Sequence, residues 1–241
     1  CRSRWSRRTR TRTGRVGGPG TSVVFAQPGV YSSFPMATAF DLEPMTPTAP
    51  AFRADERRFV LGDVPWWMYV ALRDARGDDD GTKMTYLEGT LELMSPSRLH
   101  EDVKTIIARL LEAWAMERDV DLRGFGATTF RAEAKRRGLE PDECYKLGPL
   151  ANDDVPDFAI EVVVSSPLVD KLAVYSGLGV SEVWLWREGR LAVHRLVGGA
   201  YEPREASEVL PTLDVRLLER FVVPGENQTR LAKDYQAALR G

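Results

Sequence analysis

The clearest pattern in the chain lies in residues 97–118. Leu99, Val103, Ile106, Ile107, Leu110, Leu111 and Trp114 recur at helical spacing, which predicts an amphipathic helix with one apolar stripe. The segment "DVPWWMYVALRDAR" (63–76) predicts a second helix, with Asp63 as N-cap and Pro65 in its first turn. "GDDDG" then breaks the chain. "KMTYLEGTLELMSP" (83–96) reads as two short strands around Glu88-Gly89, a hairpin signal. Residues 121–133 and 143–148 predict further strands. The run 157–165 is apolar enough for a buried strand. Residues 170–179 predict a short helix closed by a Gly C-cap. "SEVWLWRE" and "RLAVHRLV" flank Gly189 as a second hairpin, and 228–239 predicts a closing helix. Helices and strands alternate around one buried strand. The expected class is therefore α/β, a mixed sheet with helices on its faces.

Residues 1–52 lack this periodicity. They begin Arg/Thr/Gly-biased and become Pro-rich, so they are expected to be disordered, leaving 53–241 as a single domain. Residues 1–35 hold seven arginines and no acid. Three readings are open: a basic nucleic-acid arm, a targeting segment, or sequence upstream of a start at Met36. The polar lead-in "MATAFDLEPMTPTAP" favours the third. The remaining residues carry 26 basic against 35 acidic groups, an acidic balance unusual for a nonspecific DNA binder. No stretch approaches 18 uninterrupted apolar residues, so no transmembrane helix is expected. Two cysteines make no disulfide framework and suit a reducing cytoplasm. Two histidines exclude a multi-histidine metal site.

One residue breaks the buried strand. In "PDFAIEVVVSS", Glu161 stands in the middle of an apolar run. Burying a carboxylate costs several kcal/mol unless something compensates it. A divalent cation is a strong compensation, and Mg²⁺ favours a few carboxylates plus water. If the strand at 143–148 pairs beside this one, Asp142 and Glu161 can reach one cation. Lys171, opening the next helix, can fold back to the strand end and stabilise charge on a phosphate. Each has a bland alternative: a turn-capping Asp, a frayed strand Glu, a solvated helix Lys.

The run "PDFAIEVVVSSPLVDKLAVYSGLGVSEVWLW" resembles the Uma2 family of restriction endonucleases, common in cyanobacteria and other bacteria. "YLEGTLELMSPSRLHEDV" resembles that family's strand-turn-strand and histidine-bearing helix. "EPDECYKLG" resembles the segment with its first catalytic acid. The blocks occur in the family's order over about residues 60–220. The resemblance implies a restriction-endonuclease-like core of the PD-(D/E)XK nuclease superfamily, with DNA as substrate and Mg²⁺ or Mn²⁺ as cofactor. It also implies Asp142 as the "PD" aspartate, Glu161 as the second acid, and both as metal ligands. The motif lysine expected two residues on is replaced by Val163; Lys171 in "DKLAVY" matches the lysine supplied from the following helix. With the helix dipole against it, Lys171 is expected to add little to stability.

His100, Glu92 and Glu88 form a supporting tier. His100 borders the helical stripe and either packs or faces the site. Glu92 points away from the face of Leu91 and Leu93, towards either the helix and site or solvent. Glu88 sits at the hairpin turn. Asp157 repeats the "PD" spelling and reads as the start of the strand. The stripe 183–186 suggests a homodimer by analogy with nucleases that cut two strands. Two functions compete: a Mg²⁺-dependent DNA endonuclease, and a nuclease-fold protein that binds nucleic acid or a protein partner without cutting.

Overall fold

The buried strand predicted around Glu161 is the hub of the molecule. The computed structural model describes residues 56–77, 81–149 and 155–241. The expected arm, the Met36 start and residues 53–55 of the expected domain lie outside them. In chain order the strands are β1 (Arg57–Leu61), β2 (Lys83–Leu87), β3 (Thr90–Ser95), β4 (Leu122–Gly124), β5 (Phe130–Ala132), β6 (Arg137–Leu139), β7 (Glu143–Leu147), β8 (Phe158–Val163), β9 (Glu182–Arg187), β10 (Arg190–Val197) and β11 (Ala200–Arg204). The helices are α1 (Trp66–Arg76), α2 (Arg98–Arg118), α3 (Lys171–Leu178), α4 (Val215–Arg220) and α5 (Gln228–Arg240).

The α/β class holds, but the strands form two sheets, not one. The first has the order β1-β3-β2-β6-β5, antiparallel throughout. The second has the order β11-β10-β9-β8-β7-β4. Within it only β8 and β9 run parallel, and α3 is the crossover that parallel pairing requires. The segment 121–133 splits into β4 and β5, one in each sheet, with Thr128 capping the turn between by donating to Phe125 O at 2.7 Å.

Alternation in β8 decides what covers each face. Phe158, Ile160 and Val162 pack beneath α2, with Val103, Ile106, Ile107, Leu110 and Trp114. Tyr145, Phe158 and Trp184 stack through this layer, with ring centroids 5.1 and 4.9 Å apart. Ala159 faces the other way, into a layer with Val174 and Tyr175 of α3 and Leu139 of β6. α1 covers a third layer on the first sheet, where Tyr69 and Tyr86 stack at 4.9 Å. Each fully buried aliphatic or aromatic side chain contributes roughly 1.5–3 kcal/mol.

Several local expectations change. α1 starts at Trp66 with Pro65 as its N-cap and no side-chain cap; Asp63 instead takes a left-handed backbone, φ 54°. Leu99 is 39 % exposed, off the stripe's buried side. Val183, Trp184 and Trp186 are buried in the chain's own core, so the 183–186 stripe offers no dimer surface. Among the described residues no helix is long and apolar enough to cross a membrane.

Two glycines permit close approach. A Cβ on Gly177 of α3 would meet the Arg137 side chain at 2.2 Å. That side chain donates to Ala173 O at 2.6 Å and so ties α3 to β6. A Cβ on Gly138 would meet the Tyr69 hydroxyl at 2.4 Å.

Candidate active site

Asp142 and Glu161 come together through strand register. β7 and β8 pair antiparallel, with Glu143 opposite Ile160. One step further sets Asp142 beside Glu161. Asp142 stands just before β7, and its carboxylate continues the ladder: Oδ2 accepts the Val162 N–H at 2.7 Å. Both acids are fully buried.

Each acid faces a lysine. Glu161 Oε2 lies 2.5 Å from Lys171 Nζ, and Oε1 accepts from the Tyr175 hydroxyl. Lys171 and Tyr175 sit one helical turn apart on α3, so both reach the same carboxylate. The start of α3 is fixed by Asp170, whose side chain accepts the Ala173 N–H at 3.1 Å. Asp142 Oδ1 accepts from Lys83 Nζ, which also donates to Pro141 O at 2.9 Å. Lys83 opens β2 in the other sheet and escaped the sequence reading, where it looked like an ordinary lysine at a strand start.

His100 lies in the first turn of α2. Its backbone N–H donates to the Ser97 hydroxyl at 3.1 Å, a cap that fixes the ring's position. The buried ring's Nε2 is 2.9 Å from Asp142 Oδ2, and its Nδ1 is 3.5 Å from Glu101 Oε1. These are charge contacts without aligned hydrogen-bond geometry. Glu92 is buried rather than solvent-facing, but Arg58 holds it at 2.5 Å and it accepts the Leu168 N–H at 2.5 Å. It braces the loop between β8 and α3. Glu56 joins this brace: it pairs with Arg58 at 3.0 Å and accepts the Ser165 N–H at 3.0 Å. Its other oxygen is buried without a hydrogen-bond partner, 4.0 Å from His100 Nε2. Glu56 and Arg58 precede every motif in the sequence, so no local signal marks them.

Glu88 does not belong to the group. It is exposed at the hairpin turn and pairs with Arg137 at 3.2 Å, the ordinary behaviour of a turn acid. Asp157 also turns elsewhere, accepting the Leu147 N–H at 2.8 Å and meeting Lys146 at 3.3 Å.

The charges divide the two acids. Burial pushes the Asp142 carboxyl up, but Lys83, Lys171 and His100 outweigh it and hold it well below its usual range. Burial pushes Glu161 up; Lys171 opposes this and the Asp142 charge adds to it. Two carboxyls pushed apart in this way are a common device for acid–base chemistry. Burial lowers Lys171, yet Glu161 and Asp142 raise it overall and keep it an ammonium. Burial likewise lowers His100, while Asp142 and Glu101 raise it to about 9.

The donor set suits a hard cation. Mg²⁺ uses one or two carboxylates with water and substrate oxygens, and adjacent Asp142 and Glu161 supply that much. Among the described residues no group of three or more His, Cys, Asp and Glu is placed to hold a metal ion. The two ammonium groups stand against the carboxylate oxygens that a cation would use, so they must yield for one to bind.

Buried strand acids are not all of this kind. Glu182 opens β9, is equally buried, and accepts from Trp184 Nε1 at 3.0 Å, Ser207 Oγ at 2.7 Å, and the N–H groups of Glu208 and Val209 at 2.7 and 3.0 Å. It organises the 207–210 turn.

The Uma2 family model, described as "Putative restriction endonuclease", matches residues 66–224. Among solved structures, a similar one is described as a "putative nuclease belonging to DUF820" from Anabaena variabilis ATCC 29413. It is 14% identical, covers 66% of this chain and 99% of its own, and superposes with a TM-score of 0.45. None of the curated proteins compared matches this chain.

Proposed function

This chain belongs to the Uma2 family, and from that premise we propose that it is a divalent-metal-dependent endonuclease that hydrolyses DNA phosphodiester bonds. The observation that carries this reading is the side-by-side placement of Asp142 and Glu161, each against a lysine. In this reading both acids would hold Mg²⁺ or Mn²⁺. When bound, such a cation neutralises phosphate charge and makes coordinated water a better nucleophile.

The chain's own groups do the rest. Lys171, kept cationic by the two acids, stabilises charge developing on the phosphate. Lys83 holds Asp142 ionised and screens it from Glu161. His100 supports the same carboxylate. Tyr175 fixes the Glu161 rotamer, and the Glu56–Arg58–Glu92 brace fixes the loop that leads to Lys171.

Plasmid cleavage with and without Mg²⁺ tests the reading, using wild type and Glu161→Gln. Metal-dependent nicking by wild type alone supports it; no nicking, or equal nicking by the variant, overturns it. The closed network of ion pairs favours a second reading, a nuclease-fold protein that binds without cutting. Metal-independent DNA binding with no cleavage by wild type would select it.

A further inference from the structure

The two acids are fully buried, so a substrate must reach them through the groups around them. Lys83, the partner of Asp142, also lines a cleft of about 750 Å³ between α1, the start of α2 and the β4–β5 turn. Glu101, which contacts His100, lines it too. The cleft therefore borders the site at two points.

Its chemistry differs from the rest of the molecule. The chain beyond residue 35 is acidic, with 26 basic against 35 acidic residues. The cleft reverses that sign: Arg73, Arg76, Lys83 and Lys104 stand against Glu101 and Glu140. Glu140 gathers Arg73, at 2.6 Å, and Arg76 on one wall. On the other, Lys104 meets Glu101 at 2.5 Å, with the glutamate 43% exposed. The lysine is 19% exposed, and a phosphate entering the cleft offers it a second anionic partner beside the glutamate. Phe125 lines the cleft beside the polar Thr128 and Thr129.

Cations beside an aromatic ring in one cleft suit an unpaired nucleotide: the phosphate meets the cations and the base finds a stacking face. The volume lies within the roughly 300–1,000 Å³ usual for small-ligand pockets. A base paired inside a duplex is already stacked on its neighbours and must be extruded, at a cost in stacking and pairing energy, before it can offer a face to the ring. Resting on the nuclease reading for its site, we propose that this cleft receives a single-stranded segment of DNA and delivers the adjoining phosphodiester to Asp142 and Glu161.

The test is metal-free binding, read by fluorescence anisotropy in EDTA. The probes are a short labelled thymidine oligonucleotide and a blunt duplex of the same length. The strand should bind about tenfold more tightly than the duplex, and Lys104→Glu, Phe125→Ala and Thr128→Glu should each weaken it by about tenfold, the scale of one stacked base or lost phosphate contact. Arg230→Glu, an equal charge change on the exposed face of α5, should leave strand binding unchanged. Because Phe125 is partly buried, melting curves accompany each variant, and Thr128→Glu at the exposed rim keeps the test open if Phe125→Ala unfolds. Equal binding of strand and duplex, or strand binding insensitive to the cleft variants, overturns the proposal. So does competition by thymidine monophosphate as strong as that of the whole strand, which would mark a small-molecule pocket. The nuclease reading is tested apart: loss of cleavage in Glu161→Gln with strand binding intact leaves the cleft standing. Cleavage that persists without selective strand binding removes the cleft alone.

Discussion

Glu161 and Lys171 are ten positions apart in sequence and 2.5 Å apart in the structure, both buried, with Tyr175 closing the other carboxylate oxygen. This changes what Lys171 contributes. An exposed lysine at a helix start adds little or is mildly unfavourable, which is the expectation from sequence. A buried one opposite a buried glutamate cannot be removed without leaving an uncompensated charge, at a cost of about 3–5 kcal/mol. Lys171→Ala should therefore lower stability markedly by denaturant unfolding. Lys171→Met combined with Glu161→Gln should recover most of the loss, because no unpaired charge remains. A single variant as stable as wild type would rule out the buried pair. In cleavage, Lys171→Ala should lose about two to three orders of magnitude. If it cuts at the wild-type rate, Lys171 has no catalytic part.

His100 should give the fold a pH dependence. Its ordinary value of 6.5 is raised to about 9 in the folded chain, burial opposing and Asp142 and Glu101 prevailing. The folded state thus binds the proton more tightly. The resulting stabilisation is complete below about pH 6.5 and is lost as pH rises to about 9. Stability should fall by about 2–3 kcal/mol across that window, and His100→Asn should flatten the fall. A variant with the same slope as wild type would show that another group titrates there.

In the proposed reading, Lys83 and a metal ion would compete for Asp142. Calorimetric titration with Mg²⁺ or Mn²⁺ should show binding by wild type and none by Asp142→Asn. Lys83→Met removes the competing ammonium and should tighten cation binding by at least about tenfold, a modest fraction of a close charge contact. Unchanged affinity in Lys83→Met would show that the ammonium is not in the cation's way, and binding by Asp142→Asn would remove that residue from the ligand set.

What the sequence revealed follows from range. The acid in β8 was visible because a carboxylate inside an apolar run is costly and must be explained within a few residues. α2, α3 and the two hairpins were visible because their periodicity and turn chemistry are local: Ser97, Asp170 and Gly179 occupy the cap positions. Asp142 and Lys171 were candidates beside Glu161 from their places along the chain, and the family resemblance set them above their bland alternatives. Lys83 stayed hidden because its meeting with Asp142 crosses from one sheet to the other over 59 positions. β6 and β11 stayed hidden for another reason. "RGL" and "AYEPR" are short and lack alternation, and they are strands because neighbours supply their hydrogen bonds.

Gly138 marks a close approach between α1 and the first sheet. Tyr69 is fully buried, and its ring atoms would lie 2.8 and 2.9 Å from a new Cβ, with the hydroxyl at 2.4 Å. The ring is stacked on Tyr86 and has little room to retreat. Gly138→Ala should cost about 1–3 kcal/mol, the usual penalty for overpacking. Gly138→Ala with Tyr69→Phe, which removes the nearest atom, should regain part of it. A neutral single substitution would mean the sheet can move away from α1.

Glu161 and Glu182 separate burial from chemistry. Both are fully buried at the second sheet, one on β8 and one on β9. Glu182 is held by a tryptophan, a serine and two backbone N–H groups that close a turn, whereas Glu161 is held by an ammonium and a phenol beside a second carboxylate. Glu182→Gln replaces an acceptor that takes four hydrogen bonds by one that can take fewer, and should cost about 1–3 kcal/mol. Below its melting transition it should still cut DNA at the wild-type rate. Glu161→Gln should abolish cutting, and its stability should depend on whether Lys171 finds another partner. Equal loss of cutting in both variants, with both folded, would mean that activity reports the integrity of the second sheet and would withdraw the special role given to Glu161.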